Sequence, residues 1–201
     1  MRRVTVECVG ISRLLMARMT DETLEELRTG VRTPAKRDRP PEEQAKEKLY
    51  TDGNGAVVIP AEMLFACLRE AGKVVTYQSR KTISKSDGTT ILPAVLMILE
   101  PDVALIHGGW VVDKRRGQLK QGMKATAVCV VRPRFDKWRF TFTFDLDEKV
   151  LGEEAAKQLV TFAGSRQGIG SFRPNKSGPF GRFAIAKWVS VVLKDEVPAA
   201  A

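Results

Sequence analysis

The chain has 201 residues, of which 43% are hydrophobic and 28% charged, as in an ordinary globular protein with one domain and a packed core. It carries 33 Lys and Arg against 24 Asp and Glu, and this net charge of +9 attracts polyanions without specifying which one. No run approaches the roughly 20 apolar residues of a membrane helix, and no continuous apolar segment follows residues 1–6. We therefore expect no signal peptide, no membrane partner and a cytoplasmic location.

The N-terminal quarter predicts a strand, a helix and an exposed insertion. Residues 3–9 alternate between apolar and polar side chains, which is typical of a half-buried strand that ends at Gly10. Thr20 stands where a helix cap is expected, acidic residues follow in the first turn, and Gly30 marks the end of the helix. Residues 31–50 combine prolines with many cations, so we expect a basic insertion that packs little against the core.

The middle of the chain predicts a hairpin, a helix and a second insertion. A turn at residues 52–55 precedes Pro60, which is placed to open a helix. The apolar face of that helix has the i, i+3, i+4, i+7 spacing and consists of Leu64, Cys67, Leu68 and Ala71. Residues 73–92 are polar and basic, and we expect a second exposed insertion there. Strands are then predicted over 94–99, 103–106 and 124–132, with a basic hairpin tip at 114–120.

The clearest strand spans residues 138–146. Its apolar side chains alternate strictly with polar ones and are Trp138, Phe140, Phe142, Phe144 and Leu146. We expect this stripe to be the core face of a sheet rather than a platform for stacked bases. A helix over 153–163 and a strand over 182–193 complete the order. This order predicts an α+β fold over residues 1–201, with an RRM-like (ferredoxin-like) antiparallel sheet and helices on one face.

Residues 164–183 form the most distinctive segment, because they hold five glycines, four cations and no acidic residue. Glycines allow the backbone to approach a ligand closely, free backbone amides form anion sites, and arginine matches phosphate oxygens in pairs. Phe172 and Phe180 could each stack on an unpaired base. The segment therefore predicts phosphate contacts to single-stranded nucleic acid with little base preference. The alternative is a surface loop whose glycines only satisfy turn geometry. The predicted contacts are Arg166, Gly168, Gly170, Phe172, Arg173, Lys176, Gly178, Phe180, Gly181 and Arg182.

Two motifs resemble those of the RAMP superfamily of CRISPR-associated proteins. Residues 168–170 (Gly-Ile-Gly) and 178–183 (Gly-Pro-Phe-Gly-Arg-Phe) resemble its C-terminal glycine-rich loop. A second motif resembles the start of the helix in its backbone subunits and consists of Ile59, Pro60, Leu64, Leu68 and Arg69. The resemblance is closest to the backbone subunits of effector complexes that bind crRNA, or to a phage or prophage relative. It implies an RRM-like core with insertions and polymerisation along guide RNA.

The resemblance also implies partners and contacts. The partners are RNA (crRNA and its target), copies of this chain and other effector subunits, with no cofactor. The cations of the glycine-rich loop would hold the RNA backbone. The second insertion would be a thumb that reaches a neighbouring subunit or displaces a base, through Arg80, Lys81 and Lys85.

Two rival functions stay open. The first is a RAMP-type endoribonuclease that uses His107, the only histidine, or an acid after the first strand, Asp21 or Asp38. A structural histidine at a strand end, a helix-capping Asp21 and a solvated Asp38 explain these residues more simply, so we assign no catalytic residue and favour a non-enzyme. The second rival is a phage-encoded protein with the same fold that binds single-stranded DNA.

Metal and disulfide sites are not expected. No Asp, Glu or His cluster has the spacing of metal ligands. The cysteines lie far apart in apolar contexts, so we expect buried free thiols at Cys8, Cys67 and Cys129.

Overall fold

The computed structural model describes residues 1–31, 39–121 and 124–193. Its helices are α1 (Asp21–Thr29), α2 (Pro41–Lys46), α3 (Ala61–Ala71), α4 (Leu92–Val95) and α5 (Glu153–Phe162). Its strands are β1 (Arg2–Gly10), β2 (Leu14–Leu15), β3 (Val58–Pro60), β4 (Thr76–Tyr77), β5 (Lys81–Thr82), β6 (Leu96–Ile98), β7 (Asp102–His107), β8 (Val111–Gln121), β9 (Lys124–Phe135), β10 (Trp138–Leu146) and β11 (Phe183–Val192).

The main sheet is antiparallel and has the order β11-β1-β10-β7-β3, with β6 paired to β10 beyond the end of β7. Its two central strands are the two most strictly alternating segments of the sequence. In their register, Val4 lies opposite Phe144 and Val6 opposite Phe142. Strands paired in this way place their apolar residues on the same face of the sheet.

The predicted aromatic stripe forms the centre of the core. Phe140, Phe142 and Phe144 are fully buried, and neighbouring ring centroids lie 5.9 and 5.7 Å apart. Removing such a side chain from water stabilises the fold by about 1.5–3 kcal/mol. The same cluster contains the apolar faces of α3 and α5, including Leu64 and Leu159. The stripe is therefore core rather than a base-stacking platform, as expected, and the α+β fold class is confirmed.

Helix α1 has the ends expected from the sequence but hardly contacts the rest of the molecule. The Thr20 side chain accepts a hydrogen bond from the Thr23 backbone N–H at 3.3 Å, and Gly30 ends the helix with φ +72°. The helix has no buried residue, and Leu24 and Leu27 on one side of it are 49% and 69% exposed. Salt bridges hold α1 at its start, where Arg18 pairs with Asp21 at 2.7 Å.

The two insertions pack more closely than the sequence predicts. In the described part of the first insertion, Ala45 of α2 and Leu49 in the turn after it are buried. Lys48 donates a hydrogen bond to the Val131 carbonyl at 2.5 Å, and burial lowers the pKa of its ammonium group. In the second insertion, Val75 and Ile83 are buried at the base of a small hairpin of β4 and β5. A few well-spaced apolar residues are sufficient to fix a polar segment, and composition does not reveal this.

Strands β8 and β9 form a long ribbon, to which β2 adds a short third strand. The prediction of a basic hairpin tip at residues 114–120 is wrong, because these residues lie within β8. Gly117 is opposite Val128, and a Cβ at position 117 would lie 2.5 Å from a methyl group of Val130. The glycine therefore marks a close side-chain approach inside a strand and not a turn.

All three thiols are free, but they do not share one environment. Cys8 and Cys67 are buried as predicted, and burial raises the pKa of Cys67 to about 12. The prediction is wrong for Cys129, which is exposed on the ribbon. A two-stranded ribbon is covered by little else, so apolar neighbours along the sequence do not guarantee burial there.

Candidate nucleic-acid interface

The glycine-rich segment begins as a continuation of α5 and ends by entering β11. A π-helical turn over Ala163–Gln167 closes when the N–H of Gly168 donates to the Ala163 carbonyl at 2.8 Å. Gly164 lies directly against β11, where a Cβ would be 2.3 Å from the Phe183 carbonyl oxygen. The segment is therefore fastened at both ends to elements of the core.

Inside the segment, the glycines allow one stretch of backbone to cross another. Gly181 has φ +72°, and a Cβ there would lie 1.8 Å from the Ile169 carbonyl oxygen. Gly170 has φ +74°, and a Cβ there would lie 2.5 Å from the Leu15 carbonyl oxygen of β2. Added side chains at Gly168 and Gly178 would also meet backbone atoms of the loop. These glycines are accounted for by internal packing, without a ligand.

The backbone amides of the segment are largely used within the protein. Ile169 donates to the Gly181 carbonyl at 2.9 Å, Ser171 to Leu15 at 2.7 Å and Gly181 to Arg13 at 2.7 Å. Backbone groups taken from water must be paired, and here the loop pairs with itself and with the segment that holds β2. The predicted anion site of free amides is therefore wrong at these positions.

Unlike the backbone amides, the charged side chains of the loop are mostly exposed. Arg166, Lys176 and Arg182 are exposed, and Arg173 is partly buried. Within the described residues, none of these four side chains forms an ion pair with a carboxylate. Arginines elsewhere commonly do, since Arg2 binds both Glu148 and Glu153. The loop therefore presents positive charge that the protein does not neutralise.

The two phenylalanines of the loop differ in exposure. Phe172 is 40% exposed, so its ring is accessible to a ligand, and stacking on a base stays a prediction. Phe180 is only 7% exposed, because its ring lies 5.9 Å from that of Phe172 and under the guanidinium of Arg115. The prediction that Phe180 stacks on a base is wrong for this reason. The sequence alone cannot show which of the two aromatic rings a neighbouring strand covers.

The loop forms one wall of an open groove of about 470 Å³, a volume within the range of ligand sites. The loop contributes Gly170, Ser171 and Arg173, and the start of α3 forms the opposite wall. The remaining lining residues are Ala17, Tyr50, Pro60, Glu62, Met63 and Ala66. Burial raises the pKa of the Tyr50 hydroxyl, while the positive charges of Arg18 and Arg173 oppose this rise.

The groove is the point where the two sequence motifs meet. Residues about 110 positions apart form its walls, which no local pattern could predict. Sequence analysis also missed Tyr50 and Glu62. Glu62 looks like an ordinary acidic residue in the first turn of a helix, and only the structure shows that it faces a groove.

Other predicted contacts lie elsewhere. Arg80, Lys81 and Lys85 belong to the β4–β5 hairpin and the turn after it, and they do not line the groove. They carry no ion pair with a described carboxylate. They therefore form a second cationic site whose relation to a ligand stays a prediction.

The residues considered for catalysis have structural partners. The Nδ1 atom of His107 accepts a hydrogen bond from the Gly109 N–H at 3.0 Å, and its ring packs edgewise on Phe135. Asp21 pairs with Arg18, and Asp38 lies outside the described residues. In residues 1–31, 39–121 and 124–193, no group of three His, Cys, Asp or Glu side chains could hold a metal ion. None of the helices in this part of the chain is long and apolar enough to cross a membrane.

The antiparallel sheet, with α3 and α5 packed against it in one core, defines an α+β protein with a ferredoxin-like fold. A chain of the type III-B Cmr-beta complex, solved by cryo-electron microscopy with cognate target RNA, matches 94% of this chain with a TM-score of 0.51 and 15% identity. The crystal structure of Cmr6 from Pyrococcus furiosus matches 92% of this chain with a TM-score of 0.47 and 10% identity, and 99% of Cmr6 is covered. The Cmr-beta likeness confirms the expected resemblance at the level of the fold.

The fold matches solved structures, whereas the sequence-level comparisons give no match. No model of a protein family matches this sequence, and no curated protein matches it significantly. The chain spans 60% of the length of the Cmr-beta chain that it matches.

Proposed function

We propose that this protein binds single-stranded RNA as one subunit of a CRISPR-type ribonucleoprotein, and that it holds the RNA through phosphate contacts. One observation carries the proposal. The four cations of the glycine-rich loop have no carboxylate partner in the described structure, and their loop forms the wall of an open groove.

Unneutralised arginines and lysines are the groups that a phosphate backbone recognises. Binding to phosphates releases counterions from the nucleic acid, so affinity falls as salt rises. The net charge of +9 adds long-range attraction that brings a polyanion to the surface. Phe172 supports a single strand over a duplex, because an exposed ring stacks only on an unpaired base.

The choice of RNA and of partners depends on the shared fold. The Cmr-beta structure contains a target RNA, and this supports RNA over DNA by analogy. On the same ground we propose guide RNA and its target as ligands, and other copies of this chain and further effector subunits as neighbours. We treat residues 1–201 as one RRM-like domain in which the insertions at 31–50 and 73–92 add contacts.

The test is a mobility-shift titration with matched single-stranded RNA and DNA at two salt concentrations. It compares the wild type with a loop variant and a control variant that lose the same number of charges. The loop variant has alanine at Arg166, Arg173, Lys176 and Arg182. The control has alanine at exposed lysines of other surfaces, namely Lys137, Lys149, Lys157 and Lys187.

We expect the wild type and the control to bind RNA with strong salt dependence and the loop variant to lose most of this binding. Equal binding by the loop and control variants would show that only net charge matters and would overturn the assignment of the loop. Tighter binding of DNA than RNA would favour the single-stranded DNA-binding rival.

A further inference from the structure

Glu62 occupies an unusual position for a carboxylate in this protein. It is exposed at the start of α3, and it is the one carboxylate among the described residues that line the groove. It forms no hydrogen bond or ion pair with another described residue. Several other exposed carboxylates are held by arginines, as Asp136 is by Arg13 and Arg134. Among the described residues, Arg173 is the one cation that lines the same groove, and one of its N–H groups donates to the Gly170 carbonyl at 2.7 Å. The Glu62 carboxylate is therefore available to a ligand that brings N–H donors.

The rest of the groove suits a flat, partly apolar group. Met63, Ala66 and Ala17 supply apolar surface, and Tyr50 adds an aromatic ring. Binding sites of this kind combine apolar walls with a few polar groups that fix orientation. Here the polar groups are the Glu62 carboxylate on the α3 side, with the Arg173 guanidinium and the Ser171 hydroxyl on the loop side.

On the basis of the RNA-binding function proposed above, we infer that the groove receives an unpaired guanine of the bound strand. The Watson–Crick edge of guanine carries two adjacent donors, N1–H and N2–H, beside the O6 acceptor. A carboxylate accepts both donors with its two oxygens, and O6 lies next to them for a donor from the loop. Single-stranded RNA exposes this edge to side chains.

The other RNA bases do not match the carboxylate. Adenine and cytosine present one amino group beside a ring nitrogen with a lone pair, and this lone pair would face the second carboxylate oxygen. Uracil places its single N–H between two carbonyl oxygens. Each of these bases would leave one carboxylate oxygen opposite an acceptor, which is unfavourable once water is displaced.

The negative charge of Glu62 gives the proposal a characteristic signature. A carboxylate repels phosphate, so Glu62 lowers the affinity for strands that do not use it. The Glu62→Gln substitution therefore weakens binding of RNA that contains guanine and strengthens binding of RNA that lacks it. A residue with a purely structural role would change both affinities in the same direction.

The test is a fluorescence anisotropy titration with labelled oligouridine, the same strand with one central guanine, and the same strand with inosine in that place. Inosine keeps N1–H and O6 but lacks the N2 amino group. The titration compares the wild type, Glu62→Gln and the control Glu154→Gln. Glu154 is exposed on α5, does not line the groove and loses the same charge.

In the wild type and the control, we expect the guanine strand to bind at least about 5-fold more tightly than oligouridine, as a bidentate base contact provides. Inosine should lose part of this preference, and Glu62→Gln should abolish it. Equal binding of the three RNAs by the wild type, or a preference that survives in Glu62→Gln, would overturn the guanine site while RNA binding stands. Binding of no RNA would overturn the proposed function itself.

Discussion

The guanidinium carbon of Arg115 lies 4.6 Å from the centroid of the Phe180 ring. This contact joins the β8–β9 ribbon to the glycine-rich loop. The same guanidinium donates two hydrogen bonds to Asp113, at 2.6 and 3.0 Å, and Asp113 is only 5% exposed. One side chain thus covers an aromatic ring and neutralises a buried carboxylate.

We expect Arg115→Ala to destabilise the fold by about 1–3 kcal/mol, because it leaves Asp113 with only a longer contact to Arg134 at 3.5 Å. The measurement is urea denaturation followed by circular dichroism. Arg116→Ala is the matched control, since Arg116 is exposed on the same strand and has no ion pair with a described residue. Its effect should stay within about 0.5 kcal/mol, and equal losses in both variants would contradict the role of Arg115.

Replacing Gly181 by alanine should destabilise the protein severely. The added Cβ would lie 1.8 Å from the Ile169 carbonyl oxygen at a positive φ, so the crossing of the loop would have to open. A loss of more than about 3 kcal/mol is expected from the combined clash and backbone strain. Gly53→Ala is the control, because no atom lies within 4 Å of its added Cβ. The free energies of unfolding of both variants can be compared in the same urea titration.

The two phenylalanines of the loop should separate binding from stability. Phe172→Ala should weaken single-stranded RNA binding by about 1–3 kcal/mol, the contribution of one stacked base, with a small effect on unfolding. Phe180→Ala should instead reduce stability, because its ring is buried beneath Arg115. The measurements are an RNA-binding titration and a urea titration of each variant. Unchanged RNA binding by Phe172→Ala would contradict the stacking role of this ring.

The three cysteines should react at different rates with a thiol reagent at pH 8. The thiolate is the reactive form, and burial raises the pKa of Cys67 to about 12, as it raises that of Cys8. Cys129 is exposed. Ellman titration of the native protein should therefore give one rapid equivalent, and titration in urea should give three. A Cys129→Ser variant that still shows a rapid equivalent would contradict the exposure of this strand.

Salt titration should report the loop cations directly. Each phosphate contact on a single strand contributes about 0.7 to the slope of log Kobs against log salt. Replacing Arg166, Arg173, Lys176 and Arg182 by alanine should therefore reduce that slope by up to about 3. An unchanged slope would show that the RNA phosphates lie on another surface, of which the β4–β5 hairpin with Arg80 and Lys81 is the first to examine.

The elements with strong periodicity were predictable from the sequence, and those fixed by tertiary contact were not. The alternation in residues 138–146 and the apolar spacing around Leu64 gave β10 and α3, because burial on one face imposes those periods. Gly117 was assigned to a turn, although in the folded protein it makes room for Val130 inside a strand. A glycine in a sequence does not distinguish a turn from a close approach.

In the candidate site, too, some features could be predicted from the sequence and others depend on tertiary contacts. The charges of Arg166 and Arg173 could be expected to be functional from composition, but their lack of carboxylate partners in the described structure could not be known. Glycines that let a backbone approach a ligand and glycines that let it cross itself have the same sequence pattern. The opposite wall of the groove, with Glu62, lies about 110 residues away from the loop and required the fold.

The crossing of the loop over β2 also determines which partner changes shape on binding. Gly170 and Gly181 leave no room for a Cβ, and the N–H groups of Ser171 and Gly181 are bonded to Leu15 and Arg13, so the loop is closely packed without a ligand. A mobile loop loses conformational entropy when it closes on a ligand, whereas this loop loses that entropy when the protein folds. We therefore expect a single strand that binds as proposed to bend to follow the protein, so that the flexibility of the strand sets the entropic cost of association.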